Sequence, residues 1–233
     1  VPMVDQALIG RTSGWRGVLN LGGISNITLI PPKQGPDRLN SVFGWDCGPA
    51  NTLLDLAIQK FTRGKLAYDR DGLIALKGKV CERTLESWLT EPFFHLPPPK
   101  STGRQQFGIK DLERRYKSFD KRPNVDFIST LTAFSAALVK QDLRNFYALN
   151  SIYPIELLVS GGGARNPFMF NQIVQRCRGL RVLKTHEFGI SVQCKEALAF
   201  ALLAWWHVLK HPGNSPSVTG ATRKVILGIR VDP

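Results

Sequence analysis

A run of mostly aliphatic residues, Ile155-Glu156-Leu157-Leu158-Val159-Ser160, passes directly into Gly161-Gly162-Gly163-Ala164-Arg165-Asn166. A helical pattern from Pro167 to Cys177 follows at once. No other stretch constrains the fold as tightly. A short apolar run bounded by glycine reads as a buried strand. Glycines without a Cβ let the chain turn sharply there. Asn166 is placed to cap the next helix, and Pro167 suits its first position. The unit is strand, turn, helix, and it leaves a nucleotide-sized notch at the strand's C-terminal end. The helix N-terminus in that notch favours an anion. The Lys-Ser/Thr ending of a P-loop and the spacing of a dinucleotide fingerprint are both absent.

A second glycine turn lies near the N-terminus. Val18 to Ile30, VLNLGGISNITLI, reads as a hairpin with Gly22-Gly23 at its tip. Such a tip exposes backbone N–H groups that can approach a phosphate, and it also serves as an ordinary tight connection. Between the two turns, Gly44-Trp45-Asp46-Cys47-Gly48-Pro49-Ala50-Asn51 sets one carboxylate in a bend of glycine, proline and asparagine. Asn51 is placed to cap the amphipathic helix expected from Asn51 to Phe61. Asp46 is therefore either a general base fixed ahead of a helix or an acid used only in the turn.

The rest of the chain fills in an α/β order. Asp69-Arg70-Asp71-Gly72 is a turn without the other positions of a calcium loop. Val80 to Leu89 is an expected helix, ended by Pro92 and then Pro97 to Pro99. Lys100-Ser101-Thr102-Gly103-Arg104 is a cationic loop, able to contact an anion or a sugar or simply solvated. Leu112 to Asn124 is strongly charged and expected to be exposed. Val125 to Leu149 reads as one long helix, Leu180 to Leu183 as a short strand, and His186 to Gln193 as a loop. Lys195 to Lys210 is an apolar helix with Glu196 in its first turn. Glu196 either complements the helix dipole or orients a substrate hydroxyl. His207 and His211 lie four apart, yet no carboxylate shares their motif, so helix-end histidines account for them better than metal ligands do. Strands alternating with helices suit a layered α/β structure.

Composition removes some function classes. Lys and Arg number 31 against 18 acids, a formal charge of +13. The basic residues are scattered, as in Arg114/Arg115/Lys117, Lys121/Arg122 and Arg176/Arg178/Arg181, without a long block or an aromatic-basic RNA signature. A solvated basic surface fits better than nucleic-acid binding, and it would attract anionic small molecules. The four cysteines, Cys47, Cys81, Cys177 and Cys194, form no C-x-x-C pair, and scattered thiols suit a reducing compartment. No apolar run approaches the ~20 residues that span a bilayer. The N-terminus has no signal-peptide pattern, and a cytoplasmic location is expected.

Six segments in order resemble the anhydro-N-acetylmuramic acid kinase family. They are Leu19 to Thr28, Gly44 to Asn51, Pro99 to Arg104, Gly161 to Asn166, Glu196-Ala197 with Ala199 to Ala201, and Pro212 to Asn214 with Val218 to Ala221. The resemblance covers nearly the whole chain. It implies an actin-like ATPase fold, that is, a ribonuclease H-like α/β lobe with a mixed sheet flanked by helices. Residues 1–233 would be the C-terminal portion of a two-lobed sugar kinase, with the first lobe largely missing. That family's first phosphate hairpin, of the Gly-Thr-x-Ser-Gly-Thr type, has no counterpart before Gly22.

By the same resemblance, Gly22, Gly23 and Asn26 form the second phosphate element. Gly161, Gly162, Gly163 and Asn166 form the adenosine-side element. Asp46 is the catalytic base, and Glu196, Ser101 and Arg104 contact the sugar. The implied reaction uses ATP and Mg2+ on 1,6-anhydro-N-acetylmuramic acid. Water opens the anhydro bridge, the freed 6-oxygen takes the γ-phosphoryl group, and N-acetylmuramic acid 6-phosphate results, in cell-wall recycling. A homodimer is implied as well. Cys47 stands where the family usually has Thr, which would weaken a substrate or phosphate contact because a thiol donates poorly. Two other readings stay open: a related kinase for another sugar, and a truncated module that holds nucleotide or nucleic acid without turnover.

Overall fold

The structure is a computed structural model and describes residues 1–119, 122–191 and 194–231. Lys121 in the charged segment and Gln193 at the end of the expected loop lie outside the described residues. A short N-terminal helix, α1 (Pro2–Ile9), leads into the hairpin of β1 (Arg16–Leu21) and β2 (Ile24–Ile30). The strand β3 (Phe43–Pro49) then runs into α2 (Asn51–Phe61). Next come α3 (Glu82–Leu89), α4 (Ile109–Ser118) and the long α5 (Asn124–Asn150). The chain continues through β4 (Glu156–Ser160), α6 (Pro167–Arg176), β5 (Arg181–Lys184), α7 (Lys195–Val208) and the short α8 (Pro216–Thr219).

The strands form one five-stranded mixed sheet in the order β3-β2-β1-β4-β5. β2 is antiparallel to β1 and to β3, whereas β1/β4 and β4/β5 are parallel. β1, β3, β4 and β5 therefore point the same way. The C-terminal ends of β1, β3 and β4 meet at one edge, where open α/β sheets bind ligands. The expected fold class, an α/β lobe with a mixed sheet flanked by helices, is what forms.

The two central strands are apolar on both faces because both faces are covered. Leu19, Leu21, Leu157 and Val159 join the main core, while Val18 and Leu158 are buried on the other face. α5 crosses the main-core face and packs on α2, α3 and α6. At ~1.5 Å per residue its 27 residues reach about 40 Å, far enough to back the whole sheet. α1 lies against β2, with α7 beside it. The buried Lys195 Nζ ties the start of α7 to Asp5 of α1 at 2.8 Å, and Asp5 in turn accepts from Thr28 of β2. The outer side of α7 is uncovered, with Phe200 and Trp205 among its exposed residues.

Four expectations are corrected. Asp46 lies on a strand and not in a bend, since β3 pairs with β2 through Asp46 and bends only beyond Pro49. The glycines that read as a turn instead serve a register shift at Ser25/Asn26 and a positive φ at Gly48. Asn51 makes no cap bond. Its amide donates to Leu21 O at 2.9 Å and Gly22 O at 2.8 Å, which pins α2 to the hairpin tip. The charged segment from Leu112 is largely helical and partly buried: Arg115 is 0% exposed, paired with Asp111 and Glu91 and lying over the rings of Trp88 and Phe134. Burying its flat guanidinium is tolerable because two carboxylates and two ring faces replace water. Lys100, read as part of a loop facing solvent or ligand, is buried against Asp142.

Candidate functional site

The two glycine turns come together because β1 and β4 are parallel neighbours, with Asn20 opposite Ser160. Gly161 has φ 84 and ψ 169, a conformation that side chains avoid. A Cβ there would sit 2.6 Å from Asn20 Oδ1 and 2.7 Å from the Leu21 carbonyl carbon. Gly163 is packed just as closely on Leu21 and Met169. Gly162 is exposed and faces the Asn51 amide, 3.9 Å from where its Cβ would be. Asn51 thus stands between the two turns, bonded to one and facing the other.

A cavity of about 550 Å³ opens beside this junction. Its walls include Asn51 and Asp55 from α2, Tyr68 and Arg70 from the following loop, and Gly162 and Asn166 from the second glycine turn. Asn166 caps α6 as expected, its Oδ1 accepting from Met169 N at 3.1 Å. Asp69 also borders the cavity, but its two oxygens already accept the backbone N–H groups of Ile74 and Ala75. Asp55 is half-buried, and burial pushes its carboxyl up to about 6, against the opposing pull of the Arg104 charge. Its spacing from Asn51 is one helical turn, a signal that sequence reasoning had available and passed over. Among the described residues no group of three His, Cys, Asp or Glu side chains is placed to hold a metal ion.

Asp46 lies on the outermost strand, outside the walls of that cavity. The loop after Pro99 covers the open strand edge: Asp46 N donates to Lys100 O at 3.0 Å. Two donors from the same loop then reach one carboxylate oxygen, Oδ2. They are Ser101 Oγ at 2.8 Å and Thr102 N at 2.9 Å. Asp46 is half-buried, so its carboxylate is held but not sealed. Sequence reading missed Thr102, because a backbone donor leaves no mark in residue type. Arg104, four residues on from Lys100, is exposed and stands by the hairpin tip, 3.7 Å from a Cβ built on Gly23. One short loop therefore runs from the Asp46 carboxylate to the first glycine turn.

Gly22 and Gly23 are anchored at the tip by their carbonyls, which accept from Asn51 N and from Ala50 N and Thr52 N. Asn26 is half-buried on β2 and pairs in register with Asp46. Glu196 is exposed in the first turn of α7 and is not among the residues that line the 550 Å³ cavity. His207 Nδ1 lies 2.9 Å from Leu227 O, in keeping with a helix-end histidine. Cys47 points into the core, away from Asp46, and is 0% exposed. Burial, with the Asp142 charge adding to it, raises its thiol well above the ordinary range. A thiol so raised stays protonated.

The sequence profile described as "Anhydro-N-acetylmuramic acid kinase" matches residues 1–232. The chain belongs to the anhydro-N-acetylmuramic acid kinase family. An anhydro-N-acetylmuramic acid kinase from Prochlorococcus marinus (strain MIT 9313) is 60% identical over 233 residues, covering 100% of this chain and 62% of the relative. Another, from Synechococcus sp. (strain WH7803), is 55% identical and matches 100% of this chain and 60% of the relative. The chain thus spans about three fifths of the length of these anhydro-N-acetylmuramic acid kinases. Among solved structures, component A of the Acidaminococcus fermentans (R)-2-hydroxyglutaryl-CoA dehydratase is a loose likeness. It is 15% identical with TM-score 0.42, over 85% of this chain and 67% of that one. No helix among the described residues is long and apolar enough to cross a membrane.

Proposed function

We propose that this chain is the C-terminal portion of a two-lobed, ATP-dependent kinase that opens 1,6-anhydro-N-acetylmuramic acid with water and phosphorylates it at the 6-oxygen. One observation carries the reading. A single loop holds the Asp46 carboxylate by Ser101 and Thr102 and then brings Arg104 to the hairpin tip, beside the junction of the two glycine turns. An acid and a set of phosphate-sized backbone turns are thereby joined by five residues, Lys100 to Arg104.

The residues present fit a nucleotide. The cavity of about 550 Å³ is within the usual range for small-molecule sites. Gly161 and Gly163 press against β1 where any side chain would intrude, while Gly162 faces outward. Gly22, Gly23 and Asn26 would meet the phosphates, and Gly162, Asn166 and Tyr68 the adenosine side. ATP supplies the phosphoryl group. A magnesium ion would be held by the ATP phosphates with at most one or two protein carboxylates, a mode that needs no three-carboxylate cluster, and it would neutralise charge on the transferred group.

In this reading Asp46 takes a proton from a water molecule as that water attacks the anomeric carbon. The C1–O bond of the anhydro bridge breaks, and the released 6-oxygen accepts the phosphoryl group. Both fixed donors fall on Asp46 Oδ2, which leaves Oδ1 for the water. Two hydrogen bonds to the charged form keep the carboxylate oriented. Glu196 and Arg104 are assigned to the sugar. A homodimer and a cytoplasmic location, with a role in cell-wall recycling, complete the reading.

The test uses a protein of family length that contains this sequence. Incubation with ATP and the anhydro sugar in 18O-labelled water should give a sugar phosphate with the label at the anomeric hydroxyl. Asp46→Asn should abolish that product and leave nucleotide binding nearly unchanged. Unlabelled product, or full activity in the variant, would overturn the assignment of Asp46. Nucleotide binding without any turnover would favour the non-catalytic module.

A further inference from the structure

Behind Asp46, on the core side of β3, lies a buried carboxylate that the proposed reaction does not use. Asp142, in the middle of α5, is 4% exposed. Its Oδ1 accepts from Lys100 Nζ at 2.7 Å, and its Oδ2 accepts from Trp45 Nε1 at 3.1 Å. The buried Cys47 thiol is also close enough for the Asp142 charge to act on it. Trp45 and Cys47 are the residues on either side of Asp46. Strand alternation turns both of them inward and leaves Asp46 facing the other way. Lys100 is the residue whose carbonyl receives Asp46 N, immediately ahead of Ser101 and Thr102.

We infer that Asp142 is a positioning residue: one buried carboxylate ties Trp45, the strand neighbour of Asp46, to the loop that holds the Asp46 side chain, and so sets the aim of the base.

Each part of the clamp has a physical reason. Lys100 is held at three points. Its ammonium pairs with Asp142, lies 5.1 Å from the centre of the Phe93 ring, and is 3.5 Å from Phe93 O. A buried lysine with those partners has one favourable location. Its backbone carbonyl is thereby fixed against the β3 edge, and Ser101 and Thr102 follow. On the strand side, Trp45 stacks on Phe146 with ring centroids 4.8 Å apart, one helical turn beyond Asp142. α5 therefore grips residue 45 twice. Burial raises the Asp142 carboxyl, and the Lys100 charge beside it pulls the other way. Buried ion pairs add little net stability over apolar packing, whereas they do fix geometry in some proteins. A pair placed here serves placement of the loop and strand better than it serves the core.

The inference rests on the proposed role of Asp46, so the two are separated in one experiment. In the family-length protein, Asp46→Asn is compared with the double variant Lys100→Met/Asp142→Leu. The double variant removes both charges together and leaves no buried ion unpaired. It is expected to unfold cooperatively, bind ATP within about twofold of the parent, and lose about a hundredfold in turnover, the scale of a misaimed catalytic group. Hydrogen exchange is read in the same samples. The Asp46 and Thr102 amides should exchange about tenfold faster, while the Val159 amide in the sheet centre is unchanged. Turnover within about twofold of the parent in a folded double variant, or faster exchange across the whole sheet, would overturn the clamp. If the double variant does not fold, Asp142→Asn, which keeps an acceptor for Trp45, gives the same two readouts. Retained turnover in Asp46→Asn defeats the base assignment instead, and the exchange data still decide whether Asp142 holds the loop.

Discussion

Replacing Gly161 by Ala should destabilise the protein far more than replacing its neighbour Gly162. Two costs combine at Gly161. The backbone at φ 84, ψ 169 lies in a region nearly confined to glycine, which costs ~1–3 kcal/mol for any other residue. The added methyl would also lie 2.7–2.8 Å from the Leu21 C and N atoms of β1, backbone that cannot step aside without disturbing the β1/β4 pairing. Overpacking of that kind costs ~1–3 kcal/mol. Some strain is relieved by one shift of the turn, so the expected loss is ~3 kcal/mol. Gly162→Ala adds a methyl whose nearest neighbour is Asn51 Nδ2 at 3.9 Å, and the loss should be within ~0.5 kcal/mol. Urea unfolding measures both. With a slope of ~2–3 kcal/mol/M, Gly161→Ala should lower the midpoint by about 1–1.5 M and Gly162→Ala by at most about 0.25 M. Equal losses at the two positions, or a loss under ~1 kcal/mol at Gly161, would refute the claim that contact between the glycine turn and β1 shapes this edge.

Other outcomes follow from single groups. Asp55 holds its proton up to about pH 6 in the folded chain, above its ordinary value of 3.8, because of burial. Between those values the folded state binds more protons than the unfolded state, so stability falls as pH rises from about 4 to 6 and is level above. Asp55→Asn should flatten that slope and, allowing for the solvent at this half-buried group, add ~1 kcal/mol at pH 7, read from urea midpoints across pH. Arg104→Ala removes the charge that opposes this rise, and carbon-detected NMR titration should show Asp55 titrating higher. Asn166→Ala deletes the cap on α6 and should cost ~0.5–2 kcal/mol in thermal or urea unfolding. Lys100→Met alone leaves Asp142 buried without a counter-charge and should cost ~3–5 kcal/mol, more than the double variant with Asp142→Leu.

Much of the fold could be read from local pattern. The hairpin around Gly22-Gly23, the strand before Gly161 and the long α5 are each specified by residues next to one another, which is where propensity and periodicity act. Asn166 and Pro167 mark the start of α6 for the same reason. β3 was not legible, because Gly44, Gly48 and Pro49 carry turn chemistry. Only pairing with β2, set by a hairpin elsewhere, makes that stretch extended. Asn51 failed as a cap because it is the first helical residue, after Ala50, and its side chain turns to the hairpin instead, with Nδ2 donating to Leu21 O and Gly22 O.

The charged groups show the sharper limit. Lys100, Asp142 and Arg115 all read as surface residues by type, since unpaired burial of any of them is prohibitive. Each is buried because a partner comes from a distant segment: Lys100 from a loop and Asp142 from α5, and for Arg115 of α4, beside its helix neighbour Asp111, Glu91 after α3. Sequence spacing carries a sign of Asp111 with Arg115, four apart, but none of the long-range pairs. It does single out Asp46, a lone acid among glycine, proline and asparagine, as either a candidate base or a turn acid. The sequence thus displays the acid and conceals the buried groups behind it. A carboxylate on an edge strand would otherwise be free to swing with that edge. Here the loop at Lys100 covers the edge and α5 holds the loop, so under the proposed clamp any rigidity at Asp46 would come from a helix on the core side of the sheet.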